Sequence, residues 1–581
     1  MNENETQANQ HDSFLIADCG TAMTTVALFD MVAGEYRLIA RASAPTTAAA
    51  PWSDIHVGVR QAIVRISEIT GRRLIGEQGE LITPSEEHGA GVDYFGAVVS
   101  VAEPLQTVVA GLLEDVSVAS ARHALQTIYA EEIDTFSLAD TRNEQAQIQA
   151  ILEQKPELIL LSGGINGGDA TRLLKLVETV QLGTSLLTGT DKPHVIFAGN
   201  DEVREQVAAT LGNTATVHIA DNVRPNLETE QLTDVMRLVG ELYEELKIGN
   251  VSGIQELAEW SNFPLLPTAR AFGAIAEYFG ALYKGKVLGL DLGSHSVTFV
   301  AADAEQLRLA VRSDLGMGKV MPRLLEQVDI ETILEWSPLD IRPVELYDFV
   351  HNKGLYSFTV PMTTEELYLE QALARQVMRR AVADAGRSWG WFDREVRLPP
   401  FTFLVLRGQT LTHAPRAGQT MLMVLDALQP TGIFSIAMDK YGVLPALGLL
   451  APYEAQVVVQ TLEGGALVDL GWVIAPTGRA NPGDRALRVI VDSEAKGQYS
   501  IDAAYGELIT VPLAAGEQVQ LTLEPERRFD LGFGPGRGKR ITVHGGAVGL
   551  VVDTRGRPLQ LPPEKAARHS LLRQWYWDVG G

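Results

Sequence analysis

Two stretches of this 581-residue chain carry the same polar residues at the same spacing. Asp18, Gly20, Thr21, Thr25 and Asp30 recur far downstream as Asp291, Gly293, Ser294, Thr298 and Asp303. An apolar run leads into each copy, Phe14-Leu15-Ile16-Ala17 and Val287-Leu288-Gly289-Leu290, and a second apolar run leaves it. Apolar runs on either side of a polar, glycine-containing bend predict two β-hairpins with polar tips. A glycine at the bend lets backbone N–H groups approach an anion with no Cβ in the way. The hydroxyls of Thr21 and Ser294 can bond phosphate oxygens, and Asp18 and Asp291 can hold Mg2+ through its waters. Two such tips facing each other would grip a nucleotide's phosphates from both sides, with the two aspartates as the catalytic pair. An old duplication that kept its turns and lost its ligand would leave the same pattern.

Other segments carry weaker signals. Ser162-Gly163-Gly164 follows the apolar run Leu158–Leu161 and precedes a helical stretch. Its N–H groups could hold an anion at the helix start, or its glycines could serve a tight turn. Gly316-Met317-Gly318-Lys319 reads as a surface turn that could also approach a phosphate. Phe533–Arg540 imitates a P-loop, but Phe533 stands where the first glycine belongs and Arg540 where Ser or Thr must meet magnesium. A basic β-turn is expected there. The eleven histidines show no metal-ligand spacing, so no metal is expected beyond nucleotide-borne Mg2+. The single cysteine, Cys19, excludes internal disulfides and reads as a small buried hydrophobe.

The elements around these motifs set the fold. Residues 145–223 alternate strand and helix, which implies parallel pairing with helices on the faces. Thr363 and Glu366 form a capping box for a helix expected over 364–385, with Gly386 as its stop. From about 453, short β-branched runs at 457–462, 487–491, 508–511, 519–523, 541–544 and 548–552 predict an all-β sandwich or barrel. The composition shifts at the same place. Residues 453–581 hold 15 acidic and 14 basic residues, so almost all of the net charge of −25 lies before them. That acidity argues against nucleic acid as a partner, because binding phosphate backbones needs clustered Lys and Arg. Residues 1–13 read as a disordered tail with no signal peptide, and no apolar run is long enough for membrane insertion. A reducing, cytoplasmic location fits the lone cysteine.

The paired hairpins around a βα-rich middle resemble the actin, sugar-kinase and Hsp70 ATPase superfamily. More closely, Asp18–Asp30, Leu160–Asp169, Asp291–Asp303 and Leu411-Thr412-His413-Ala414-Pro415 resemble the glutamate mutase-associated MutL family, which is unrelated to mismatch-repair MutL. The resemblance covers roughly residues 14–450. It implies an α/β fold of two actin-like (ribonuclease H-like) lobes around a nucleotide cleft, with ATP and Mg2+ as cofactors. Asp18, Gly20 and Thr21 would form the first phosphate motif; Asp291, Gly293 and Ser294 would form the second. Gly408 falls in the adenosine motif, where Arg407-Gly408-Gln409 keeps one glycine of the usual run. The implied domains are a first lobe with an α/β insertion at 14–286, a second lobe at 287–452, a β-rich domain at 453–562 and a final helix or tail at 563–581. The implied function is that of a chaperone-like, ATP-binding accessory factor whose protein partner is a cobalamin-dependent mutase such as glutamate mutase. A small-molecule kinase or ATP-dependent hydrolase on the same fold, and a nucleotide-degenerate assembly scaffold, are the alternatives.

Overall fold

The computed structural model describes residues 12–86, 88–187, 192–391 and 398–580. Residues 1–11 of the expected tail lie outside the described residues. Ser13 already belongs to the fold: its N–H and hydroxyl donate to Asp93 Oδ2 at 2.7 and 2.8 Å. The chain forms two compact units. One comprises the residues up to Ser100, Glu256–Leu309 and everything from Asp314; the other comprises Val101–Gln255 with Ala310–Ser313.

Within the larger unit, each hairpin nucleates a sheet. Phe14–Cys19 pairs antiparallel with Met23–Val32, which pairs with Glu35–Pro45. On its other side Tyr94–Val99 adds in parallel, followed by Leu266–Pro267. The second sheet repeats this order. Val287–Leu292 pairs antiparallel with Val297–Ala302, with Leu307–Arg312 beyond it. Phe403–Arg407 and Gly432–Met438 add in parallel. Even the register repeats, since Asp18 faces Thr25 and Asp291 faces Thr298. These are two lobes built on one plan. The leading strands are apolar almost throughout because each is covered on both faces. One apolar cluster serves both lobes, taking in Phe14 and Ile16, Val300 and Val405, and Phe272, Ile275 and Leu447 from the helices Thr268–Tyr283 and Leu444–Leu450.

The C-terminal region shares a layer with the second lobe. Val468–Ala475 pairs with Gly432–Met438, and Gly549–Asp553 and Leu508–Val511 continue the same sheet to eight strands. A separate four-stranded antiparallel sheet, in the order Gly497–Ala504, Arg485–Ser493, Gln518–Pro525 and Lys539–His544, packs across it. Ile474, Leu487, Val489, Leu521 and Val552 fill the space between them. The result is a sandwich, one face of which is the end of the lobe's own sheet. The run at 457–462, expected as a strand, is the helix Ala455–Glu463. Val457, Val458 and Thr461 are its buried positions, a helical spacing that a β-branched composition disguises. The helix Thr364–Ser388 starts at Thr363 as expected, but it passes Gly386, which is buried inside it.

The smaller unit is a five-stranded parallel sheet in the order Ala130–Phe136, Leu105–Ala110, Leu158–Gly163, His194–Gly199, Thr216–Ile219. It has its own core of Val108, Ile159, Leu173, Val177, Phe197 and Val207.

Candidate functional site

The two hairpin turns close in the same way. Gly20 N–H donates to Met23 O at 3.1 Å, and Gly293 N–H donates to Ser296 O at 3.0 Å. A Cβ on Gly20 would stand 2.8 Å from Met23 O, and one on Gly293 would stand 2.9 Å from Ser296 O. The glycines are therefore needed for close backbone approach inside the turn, and their own amides are used there. The tips also carry the hydroxyls of Thr21 and Ser294, next to the carboxylates of Asp18 and Asp291 on the strands that lead into them.

Those groups converge. Thr21 Oγ1 and Ser294 Oγ are hydrogen-bonded to each other at 2.6 Å, so the two tips face one another and touch. Arg407 ends the parallel strand beside Asp291, and its guanidinium donates one Nη to Asp291 Oδ2 and the other to Asp18 Oδ2. Its Nε lies 3.8 Å from Asp439 Oδ2. Asp439 is fully occupied in structure as well, accepting from the N–H groups of Val443 and Leu444 at 2.9 Å where the helix Leu444–Leu450 begins. Thr268 Oγ1 donates to the other oxygen of Asp18 at 3.2 Å. Three carboxylates thus share one buried guanidinium. Burial pushes the carboxyls of Asp18 and Asp439 above the ordinary range, and Arg407 partly offsets this at both. Burial also disfavours the Arg407 charge, but Asp291, Asp18 and Asp439 outweigh it and hold its pKa above the usual value.

Gly408 explains its own retention. At φ 107° it lies against the backbone of Leu292, where a Cβ would overlap the Leu292 carbonyl. Gly316-Met317-Gly318, expected as a surface turn, is instead buried behind the second tip. Met317 N–H donates to Gly293 O at 2.9 Å, and a Cβ on Gly318 would stand 2.9 Å from Ser294 Cβ. Cys19 is buried beside Asp18, and burial raises its thiol pKa, as expected of a packing residue.

Ser162, Gly163 and Gly164 lie in the smaller unit. The Ser162 hydroxyl is buried and donates to Ser117 O at 3.0 Å. Gly163 and Gly164 have φ of 136° and 72°, and their carbonyls accept from Asn200 N–H and Asn222 Nδ2, each at 2.9 Å. Every one of these groups serves the turn. The P-loop imitation is a turn as well: Asp530 Oδ1 accepts from the N–H groups of Gly532, Phe533 and Gly534 at 2.7–3.0 Å. A groove of about 580 Å³ opens elsewhere, lined by Phe349, Tyr356, Val360 and Met362, and no hairpin residue reaches it. No group of three or more His, Cys, Asp or Glu side chains placed to hold a metal ion by themselves occurs among the described residues. No helix among them is long and apolar enough to cross a membrane.

Arg407 is the site residue that spacing alone missed. The resemblance puts Arg407-Gly408-Gln409 where a run of glycines is usual, but nothing in the sequence shows that Arg407 reaches Asp18, 389 positions away.

No curated protein matches this sequence. Among solved structures, the nucleotide-free acetone carboxylase has 10% identity and a TM-score of 0.32, covering 85% of this chain and 81% of that one. A diol dehydratase-reactivating factor in nucleotide-free form has 10% identity and a TM-score of 0.30, with 78% and 100% covered. A glycerol dehydratase reactivase has 12% identity and a TM-score of 0.29, with 76% and 100% covered. The MutL protein family matches residues 14–464, the span that contains both hairpins and Arg407. Over that span, most of its length, the chain belongs to the glutamate mutase-associated MutL family, which is not the mismatch-repair MutL.

Proposed function

We propose that this protein is an actin-like, nucleotide-binding accessory factor that acts on a partner enzyme, and that the partner is an adenosylcobalamin-dependent mutase such as glutamate mutase. The observation that carries this reading is the meeting of the two hairpin tips, hydroxyl to hydroxyl at 2.6 Å, with both motif aspartates turned to one cation. Touching hydroxyls leave no room for a phosphate between them, so binding has to part the tips. That separation is the conformational step a nucleotide would drive, and order or closure at such switch segments is a common way to relay phosphate occupancy. The reactivating role of two of the structural neighbours, as their names state it, is consistent with the same use.

The donor set fits an oxygen-seeking cation, and a guanidinium already stands in for one. Asp18 and Asp291 would hold Mg2+ through its waters. Mg2+ neutralises phosphate charge when bound. Thr21 and Ser294 would donate to phosphate oxygens, and Gly20, Gly293 and Gly408 would set the positions of these groups through the turns they close. Burial of Asp18 and Asp439 makes their unpaired negative charge unfavourable, so a cation or a proton compensates them in each state of the cleft.

Calorimetric titration with ATP and Mg2+ tests this directly. Wild type should bind, and Asp291→Ala should weaken binding at least tenfold. Slow phosphate release, accelerated by the mutase and not by small metabolites, is the expected turnover behaviour. Absence of ATP binding in wild type would leave the scaffold reading, which Arg407 in the place of an adenosine-motif glycine favours.

A further inference from the structure

We infer that Arg407 is a built-in counter-cation of the cleft, one that competes with divalent metal for Asp18 and Asp291 and latches the two hairpins together until nucleotide arrives. The inference deepens the nucleotide reading above and rests on it for the identity of the displacing ligand. The latch itself rests on geometry alone.

The guanidinium is a planar fork whose two Nη atoms go to carboxylates from two different lobes. Its remaining Nε is buried, faces Asp439 at 3.8 Å and makes no hydrogen bond. One side chain therefore ties the first strand of the first lobe to the first strand of the second. The neighbouring contact between Thr21 and Ser294 closes the same seam. Gly408 fixes the root of the side chain, because only glycine can follow Arg407 so close to the Leu292 backbone.

Two consequences follow from charge. With Arg407 in place, Asp18 and Asp291 are already compensated, so free Mg2+ has little to gain by displacing a guanidinium that would be left buried among apolar strands. A triphosphate changes that balance, since it offers the guanidinium an anion of equal or greater charge within the same cleft. Phosphate and guanidinium pair bidentately as carboxylate and guanidinium do. Arg407 would turn from the carboxylates to phosphate oxygens, the carboxylates would become available to Mg2+, and the seam would open. Metal and nucleotide would then bind together and not separately.

The test is metal binding to the whole protein in the absence of nucleotide, with MgCl2 as the probe. Wild type should show no calorimetric Mg2+ binding below millimolar concentration and no change in melting temperature on addition of MgCl2. Arg407→Met leaves Asp18, Asp291 and Asp439 uncompensated, so it should melt lower than wild type. It should bind Mg2+ at least tenfold more tightly, and Mg2+ should raise its melting temperature by several degrees. Arg407→Lys keeps a charge but cannot bridge two carboxylates, and should fall between. Tight Mg2+ binding by nucleotide-free wild type that Asp291→Asn abolishes would overturn the proposal, and this holds even if Arg407→Met fails to fold. An Arg407→Met protein that folds and gains no Mg2+ affinity would overturn it too. If wild type fails to bind ATP while the metal gain appears in Arg407→Met, the latch stands and the nucleotide reading falls.

Discussion

At Gly20 and Gly293, any side chain would press on a backbone oxygen of the same turn. Alanine at either position forces the turn to open, and overpacking of this kind costs about 1–3 kcal/mol. Urea unfolding of Gly20→Ala and Gly293→Ala should show losses in that range. Thr21→Val and Ser294→Ala, which touch only the tips, should lose ATP affinity with little loss of stability. The sequence made the aspartates and hydroxyls legible because they recur at one spacing. Arg407 was not legible, since a spacing argument sees local repetition and this side chain acts across hundreds of residues. At the Ser162 loop the glycines serve a tight turn, in which Asn200 and Asn222 take their carbonyls.

Between elements, the most consequential feature is a buried ionic network behind the second lobe. Asp426, on the helix Ala417–Leu428, accepts from Arg375 Nε at 2.9 Å and Arg555 Nη1 at 2.8 Å. Asp553 accepts from Arg555 Nε and Nη2, both at 2.9 Å, and from Arg557 Nη2 at 2.7 Å. Trp575 of the final helix covers Arg555 at 4.4 Å. The network joins two lobe helices, the end of the strand Gly549–Asp553 and the helix Lys565–Asp578. Asp426→Ala removes one anion, strands the buried Arg375 and leaves Arg555 with Asp553 alone, so a loss of about 3–5 kcal/mol is expected on thermal or urea unfolding. The pH dependence follows from Asp553. Burial alone would raise its carboxyl, but Arg555 and Arg557 overcome this and hold it well below the ordinary 3.8. On acidification the unfolded chain takes up this proton before the folded one does. The stabilisation is therefore complete above about pH 4 and lost as pH falls below it. Circular dichroism melts between pH 5 and pH 2.5 should show a loss that is smaller in Asp553→Asn, which is already less stable at neutral pH. The capping box placed the start of the helix Thr364–Ser388, and alternation placed the parallel strands Leu158–Gly163, His194–Gly199 and Thr216–Ile219. The helix at 455–463 escaped because valine runs carry strand propensity, while the deciding fact, which of its residues are buried, is tertiary.

For the molecule as a whole, the smaller unit has an apolar core and a complete parallel sheet of its own. Residues 101–255 produced alone should give a cooperative thermal transition with mixed α/β circular dichroism. A chain that stays unfolded would show that this sheet depends on the strand residues 310–313. The plan of two like sheets was legible from the repeated hairpins. The merging of the C-terminal strands with the lobe's sheet was not, because a change in composition near 453 marks a change of surroundings and not a break in hydrogen bonding. The hairpin turns carry a last consequence. Their glycines answer to the turn's own closure, so an Asp-x-Gly pair would survive in a descendant that had abandoned its nucleotide. A search of genomes for that pair alone would gather working switches and fossils together. What tells them apart is whether the tip hydroxyls persist and which side chain stands at the position of Arg407.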